Sequence, residues 1–399
     1  MKRKYIICAV ALGACAALLS WFDSDSRRLK MREPVRPDNL TFPKRCVESE
    51  LHKTEVYSQN KRHNVDDAKP STLCVLLEVP NLHSKGVVWN SDGSKFASFS
   101  QMGALITIWN LDGSVFRQIL RPKGFYPFKG LAFVNHDRQI VTPPVSSQEN
   151  AEAFHVVDIE SGETVHKELG RYPNLADNVN RINGLAMSAD QTVMATVSGY
   201  AKHQPVGIYL TKDWLHIGDL SDSNLNDEPI TAVFSPDGSI LAVGTGLGDV
   251  FVYNWRERRL VRKFESFGVG SIITFSPDGN LIAIATGALN QQVRLENNVF
   301  VNIEREKAIR VFRISDGKSV SIYPTSLPEI VDIAWSPNGD FIAIIVDGWK
   351  TLRLWKPFAP TERPETLALN PDAIALSFSP SGRVLAVDND RVVTLFQLQ

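Results

Sequence analysis

The sequence predicts an all-β fold, a seven-bladed β-propeller of four-stranded blades whose ring is closed by an N-terminal strand. Three observations support this prediction: a hairpin motif that recurs along the chain, the spacing of its copies, and an unpaired strand before the first copy. A period of about 40 to 45 residues is typical of propeller blades, since one blade alone cannot bury both faces of its sheet.

The motif is clearest in residues 231–255, TAVFSPDGSILAVGTGLGDVFVYNW. Its first apolar run ends at Pro236-Asp237-Gly238, where proline presets φ and glycine allows the positive φ of a tight reversal. The two runs that follow, Ile240 to Val243 and Val250 to Trp255, are rich in β-branched and aromatic residues and are bounded by glycine. The segment therefore predicts three consecutive antiparallel strands.

Six further segments share this pattern, three closely and three more weakly. The close copies begin at Ile273, Ile333 and Leu376, and the weaker copies begin at Val87, Leu131 and Leu185. A large apolar residue before each first turn marks the units: Trp89, Phe133, Met187, Phe234, Phe275, Trp335 and Phe378. Successive markers are separated by 44, 54, 47, 41, 60 and 43 residues, which predicts seven blades.

The last unit supplies only three strands before the sequence reaches Gln399. Upstream of the first unit, Ser71 to Pro80 forms an apolar run with no turn partner of its own. We expect this run to pair as the outer strand of the last blade, which removes an exposed sheet edge and closes the ring.

A turn and a short fourth strand follow the third run in several units. The segments read LITIWNLDGSVFRQIL from Leu105, FHVVDIESGETVHKEL from Phe154, IRVFRISDGKSVSIY from Ile309 and LRLWKPFAPTERPETLAL from Leu352. Over residues 72–399 the chain resembles the WD40 repeat family, with Trp109-Asn110, Val157-Asp158 and Trp355-Lys356 at the position of the family's Trp-Asp pair. Ser-Pro-Asp-Gly hairpins also occur in TolB-like repeats, which leaves a propeller of that kind as the alternative.

The resemblance implies closure of the ring by the N-terminal strand and a rim that receives partners. It does not extend to the family's Gly-His dipeptide, which this sequence lacks. We therefore expect apolar burial between the blades, rather than a His and Asp network, to hold them together.

Residues 1–22, MKRKYIICAVALGACAALLSWF, have the three cations and the uncharged apolar run of an export signal. Three outcomes remain open: a cleaved signal peptide, lipidation at Cys15 within the lipobox-like Leu12-Gly13-Ala14-Cys15, or a retained membrane anchor. Each outcome places the propeller outside the cytoplasm, in the periplasm or secreted. Only the N-terminal segment is expected to touch a membrane.

Residues 23–70 are polar and proline-containing with nearly balanced charge, which predicts a flexible extension before the propeller of residues 71–399. Outside the export segment the chain has two cysteines, Cys46 and Cys74. In an oxidising compartment such a pair favours a disulfide bond. The alternative is that Cys74 is a buried apolar residue and Cys46 a free thiol.

Charge and motif content bear on the class of function. The chain has 43 Lys and Arg against 44 Asp and Glu, so it lacks the basic excess with which proteins bind nucleic acid. Its eight histidines form no i, i+4 pair and no metal-binding motif, and neither a GxSxG elbow nor a Walker loop is present. These features predict a protein that is not an enzyme and that needs no cofactor or metal.

Long connections predict where a partner binds. The loops between second and third strands lie on the same rim as the links between blades, and three of them are long: Pro143 to Ala153, Ser198 to Val206 and Leu289 to Lys307. The alternation of Val293, Leu295, Val299, Val301 and Ile303 in the third loop predicts an ordered hairpin. The candidate partner-binding residues on this rim are Lys129, Arg181, Asn183, His203, Arg294, Trp349 and Lys350.

The sequence thus predicts a monomeric propeller that binds a protein or a peptide outside the cytoplasm. The alternative function is a propeller enzyme or a small-ligand sensor that uses the mouth of the central channel.

Overall fold

The computed structural model describes only part of the chain, and the statements below refer to that part. The chain divides into two units, Met1–Phe42 and Pro43–Gln399, and every described residue belongs to the second. The described residues are 73–80, 84–100, 105–120, 130–142, 152–169, 182–198, 206–220, 229–246, 248–265, 269–287, 291–294, 300–303, 308–323, 330–346, 350–359, 362–369, 373–389 and 391–398.

The described residues fold into seven four-stranded antiparallel blades, and no helix occurs among them. The chain begins with β1 (Leu73–Pro80), which belongs to the last blade. Blade 1 contains β2 (Ser84–Trp89), β3 (Lys95–Ser100), β4 (Leu105–Asn110) and β5 (Val115–Leu120). Blade 2 contains β6 (Ala132–Val134), β7 (Gln139–Thr142), β8 (Glu152–Asp158) and β9 (Thr164–Leu169). Blade 3 contains β10 (Ile182–Met187), β11 (Val193–Ser198), β12 (Val206–Leu210) and β13 (Leu215–Leu220).

The remaining blades follow the same order, with one inserted hairpin. Blade 4 contains β14 (Pro229–Phe234), β15 (Ile240–Thr245), β16 (Val250–Asn254) and β17 (Arg259–Phe264). Blade 5 contains β18 (Val269–Phe275), β19 (Leu281–Gly287), β22 (Ile309–Arg313) and β23 (Ser319–Ile322), and β20 (Gln291–Arg294) and β21 (Phe300–Ile303) lie between its second and third strands. Blade 6 contains β24 (Ile330–Trp335), β25 (Ile342–Val346), β26 (Thr351–Trp355) and β27 (Glu365–Ala368). Blade 7 contains β28 (Ala375–Phe378), β29 (Val384–Asp388) and β30 (Val392–Leu398), completed by β1.

The predicted closing strand is confirmed. In blade 7 the strand order is β1-β30-β29-β28, and β1 pairs antiparallel with β30 from Leu73 opposite Leu398 to Pro80 opposite Val392. The first strands of successive blades are neighbours around the ring, and β28 of blade 7 lies beside β2 of blade 1. The first and last segments of the propeller therefore share one sheet.

Apolar burial between blades follows the predicted pattern. Among the described residues, seven clusters of buried side chains occur, and each joins two neighbouring blades. The closing strand contributes to two of them, because Leu73 packs between blades 6 and 7 whereas Leu77 and Val79 pack between blades 7 and 1. Burial of a leucine or valine side chain is worth about 1.5–3 kcal/mol, so each contact surface is a substantial source of stability.

The ring has two rims. The turn rim carries the turns between first and second and between third and fourth strands, and the loop rim carries the connections between second and third strands and between blades.

On the turn rim, the Ser-Pro-Asp-Gly turn of blade 4 is stabilised by hydrogen bonds of its own side chains. The Ser235 hydroxyl donates to Asp237 Oδ1 at 2.5 Å and accepts from the Ile240 amide at 3.0 Å, while Gly238 has a φ of 66°. A residue with a side chain would be strained at that φ.

The first turns of neighbouring blades also contact one another. A Cβ built on Gly382 of blade 7 would lie 3.3 Å from Pro337 of blade 6, and one on Gly93 of blade 1 would lie 3.4 Å from Pro380 of blade 7. In blade 2, which lacks this motif, Asp137 accepts from the Ser91 amide of blade 1 at 3.0 Å. The turn motif therefore serves contacts between blades as well as the reversal of the chain.

Asp237 is expected to make the free energy of unfolding depend on pH in the acidic range. The Ser235 hydroxyl and the Ser239 amide hold the pKa of this carboxyl below its ordinary value of 3.8. Because the folded pKa is lowered, the stabilisation is complete above the unfolded value and is lost as pH falls through the folded one. We expect the stability difference between wild type and Asp237→Asn to be constant above about pH 5 and to shrink below about pH 4 in urea unfolding. A difference that stays constant down to pH 2.5 would contradict this.

Six of the seven outer strands carry a β-bulge, a single extra residue that interrupts the pairing with the third strand. The extra residues are Leu76 in β1, Phe116 in β5, Val165 in β9, Ile217 in β13, Val261 in β17 and Val320 in β23. Bulges twist an edge strand and hinder the addition of another strand. The seventh outer strand, β27, pairs with β26 in continuous register.

Candidate partner-binding rim

The structure describes three of the seven predicted binding residues, at least in their backbone. Asn183 lies in β10 at a bulge, because Ile182 pairs with Ser198 while Gly184 pairs with Val197. Arg294 lies in β20. Lys350 is exposed directly before β26, and its carbonyl accepts from the Leu369 amide at 2.6 Å.

All three positions lie on the loop rim, since each belongs to a connection between second and third strands or to the start of a first strand. Asn183 belongs to blade 3, Lys350 precedes the third strand of blade 6, and Arg294 lies in the hairpin that is inserted between the second and third strands of blade 5. The other four predicted residues, Lys129, Arg181, His203 and Trp349, lie outside the described residues. Whether the seven form one site stays a prediction.

The predicted N-terminal features also lie largely outside the described residues. These include the export segment with Cys15, the extension of residues 23–70, and Cys46. Cys74 lies in β1 and is buried, with 7% of its surface exposed. The bond between Cys46 and Cys74 stays a prediction.

The long loop of blade 5 contains an ordered hairpin, as its alternating residues indicate. Strands β20 and β21 form a separate two-stranded sheet, with Gln291 opposite Ile303 and Arg294 opposite Phe300. Among the described strands, these two are the only ones that belong to no blade. A two-stranded ribbon contributes little to a propeller core and is marginally stable by itself.

Two buried or half-buried carboxylates join blades near the loop rim. Asp332 follows the bulge of β24 and accepts from the Leu376 amide of blade 7 at 3.0 Å through Oδ2. Asp388, at the end of β29 and fully buried, accepts from the Gly86 amide of blade 1 at 2.9 Å. Charge-assisted bonds of this kind are stronger than neutral ones. The two acids therefore fasten blade 7 to both of its neighbours.

Sequence reasoning missed these two residues. Each is an acid within an apolar strand, in IVDIAW and in LAVDND, and that pattern was the available signal. A buried acid needs a hydrogen-bond donor, so such a position indicates either a site or a contact between elements. Here both acids bind backbone amides of the next blade, which is a structural role.

Within the described ranges, no three His, Cys, Asp or Glu side chains are grouped closely enough to hold a metal ion. No helix in the described part of the chain is long and apolar enough to span a bilayer.

The similarity of the chain to known proteins lies in its fold. No family model matches the chain, and no curated protein matches it either. Among solved structures, the beta-propeller domain of Myceliophteria thermophila Cps50 (Swd1) is similar, with 14% sequence identity and a TM-score of 0.61. The similarity covers 82% of this chain and 100% of that domain. At this identity the likeness establishes the fold alone: the chain is a seven-bladed β-propeller.

Proposed function

We propose that the chain is a non-catalytic protein- or peptide-binding module of the WD40 type. The observation that carries this proposal is the β20–β21 ribbon, an ordered element on the loop rim that the ring itself does not need. Support also comes from the WD40-like motifs and from the likeness to the solved propeller domain. Partners bind propellers through exposed connections, because the blades themselves are occupied in packing against one another.

We further propose that the propeller acts as a monomer outside the cytoplasm and that its ligand is not nucleic acid. The export-like residues 1–22 support the location, and the near-balanced charge of 43 basic and 44 acidic residues supports the class of ligand. Fractionation of the source cells, with antibody detection of the chain, tests the location directly. Recovery in the cytoplasmic fraction would contradict it.

The binding proposal predicts that changes on the loop rim abolish capture of a partner without destabilising the fold. The chain serves as bait, and quantitative mass spectrometry compares what wild type and variants retain. One variant replaces residues 289–307 by a short Gly-Ser linker, and the other is Trp349→Ala. We expect at least a tenfold loss of the retained partner in both, because a few residues, tryptophan prominent among them, commonly carry most of the binding energy of an interface.

Lys318→Ala is the matched control, since Lys318 is exposed on the turn rim of blade 5. It should retain the partner at the wild-type level. A lower melting temperature in Trp349→Ala with capture retained would make Trp349 a packing residue. Unchanged capture in both loop-rim variants would contradict the proposed binding rim.

A further inference from the structure

The turn between β16 and β17 of blade 4 differs in composition from the corresponding turns of other blades. In blades 1, 2 and 5 a glycine takes the positive φ of this turn: Gly113, Gly162 and Gly317. In blade 4 the turn reads Trp-Arg-Glu-Arg-Arg over residues 255–259, and Arg258 takes that conformation with a φ of 51°. A residue with a side chain is strained there, so the reversal of the chain does not by itself account for an arginine.

Arg258 is held in place by blade 3. Its Nη2 donates to Ile217 O of β13 at 2.5 Å. The next residue in that strand, Gly218, leaves the room for this contact, since a Cβ at its position would overlap the guanidinium of Arg258. Among the described residues, Nε and Nη1 of Arg258 take part in no hydrogen bond. One part of the guanidinium thus fixes its position and the rest is open to solvent.

Arg256 is a second fixed cation in the same turn. Its Cζ lies 4.5 Å from the centre of the Trp255 ring, and the indole is in turn fixed, because Trp255 is buried and its Nε1 donates to Gly238 O at 2.7 Å. Arg256 is exposed and forms neither a hydrogen bond nor an ion pair with a described residue. Stacking on tryptophan orients a guanidinium and leaves its N–H groups free to bind an anion.

The carboxylates near this turn do not neutralise it. Arg259 Nε lies 3.1 Å from Glu257 Oε2, but both side chains are more than half exposed, and an ion pair of that kind is weak. The charge of Arg256 also acts on Asp190 of blade 3, whose carboxylate already accepts hydrogen bonds from a hydroxyl and an amide of its own turn. The turn therefore presents three guanidinium groups against one exposed carboxylate.

The residue type and the surroundings indicate which anion fits. The planar fork of a guanidinium matches the two oxygens of a carboxylate, whereas an ammonium attracts anions without that geometry. The first turns of blades 3, 4 and 5 lie on the same rim and each carry an aspartate: Asp190, Asp237 and Asp278. These acids would repel a broad anionic surface such as a bilayer of acidic lipids, while a narrow chain can place its carboxylates on the arginines alone.

We propose that this arginine turn (Arg256, Arg258 and Arg259) binds an acidic segment of a partner protein. Carboxylates of that segment pair with the open N–H groups of Arg256 and Arg258, and one of them can replace Glu257 on Arg259. The surface lies on the turn rim of blade 4. It is independent of the proposed binding rim, which is formed by connections on the other side of the ring.

Fluorescence anisotropy of a labelled hexaglutamate peptide, titrated with the full chain at low ionic strength, tests this proposal. We expect Arg256→Ala to weaken binding about fivefold or more, because it removes a charge-assisted pair. Arg256→Lys keeps the charge but not the planar fork and should lose most of the same affinity. Arg383→Ala is the matched control, since Arg383 is exposed on the turn rim of blade 7. It should bind hexaglutamate as tightly as wild type.

Urea unfolding midpoints establish that the three variants keep the folded propeller. The proposal is overturned if wild type does not bind hexaglutamate, or if Arg256→Ala and Arg383→Ala weaken binding equally. Wild-type affinity in Arg256→Lys would reduce the site to unspecific charge attraction and would also contradict it. Tighter binding of wild type to phosphatidylglycerol vesicles than to hexaglutamate would assign the turn to a lipid surface instead.

Discussion

A chain that begins at Leu82, and so lacks β1, is expected to lose cooperative folding. The truncation removes the buried side chains of Leu73, Leu77 and Val79, each with 7% or less of its surface exposed. At about 1.5–3 kcal/mol for each side chain, the loss is about 5–9 kcal/mol, similar to the whole stability of a typical domain. It also leaves the edge of β30 open. Far-UV circular dichroism with thermal unfolding measures the result.

A chain that begins at Ser71 is the matched control, because it keeps β1 and lacks only what precedes it. This shorter truncation should melt in one transition. If the chain beginning at Leu82 melts like the control, β1 is not needed for closure. Addition of a synthetic peptide of residues 71–80 should restore part of the transition, since ligands that bind the folded state stabilise it.

Asp388→Ala is expected to destabilise the propeller by about 1–3 kcal/mol, because it leaves the Gly86 amide in the contact between blades 7 and 1 without its acceptor. Asp388 is fully buried, so water does not readily replace the lost carboxylate. Asp388→Asn should cost less, since an amide oxygen can still accept the bond. Urea unfolding at pH 7 gives the three free energies of unfolding.

Glu265→Ala provides the comparison for the loss of an acid that is solvent-exposed, since 85% of the Glu265 side chain is exposed. We expect that change to stay within about 0.5 kcal/mol of wild type. An Asp388→Ala variant as stable as Glu265→Ala would show that the hydrogen bond from the Gly86 amide to Asp388 does not stabilise the contact between blades 7 and 1.

The repeated architecture could be predicted because it has local causes. Each Pro-Asp-Gly turn with its flanking apolar runs specifies a hairpin by itself. The run from Ser71 to Pro80 can be predicted as the closing strand because the last unit has only three strands of its own. Even the weak copy at Leu131 formed the first two strands of blade 2, although Asn135, His136 and Asp137 all adopt positive φ in place of a glycine.

The contacts between blades could not be predicted in the same way. Asp388 and Gly86 are 302 residues apart, and nothing local to either residue indicates the other. The bulges of the outer strands depend on how each strand meets the next blade, so the straight register of β27 has no signature in Glu365 to Ala368 alone. The predicted binding residues come from separate connections, and their relation depends on loop conformations that local sequence does not determine.

The pairing of β1 with β30 sets the order of events during synthesis. Glu78 and Thr394 are 316 residues apart, and at about 5–20 residues per second a ribosome needs about 15–60 s to make the chain between them. Through that interval β1 has been made and β30 has not, so β1 has no strand to pair with, and Leu73, Leu77 and Val79 lack the blade 7 side of their packing. We therefore expect β1 to be an unpaired apolar strand during elongation, and a segment that needs transient protection until β30 is made.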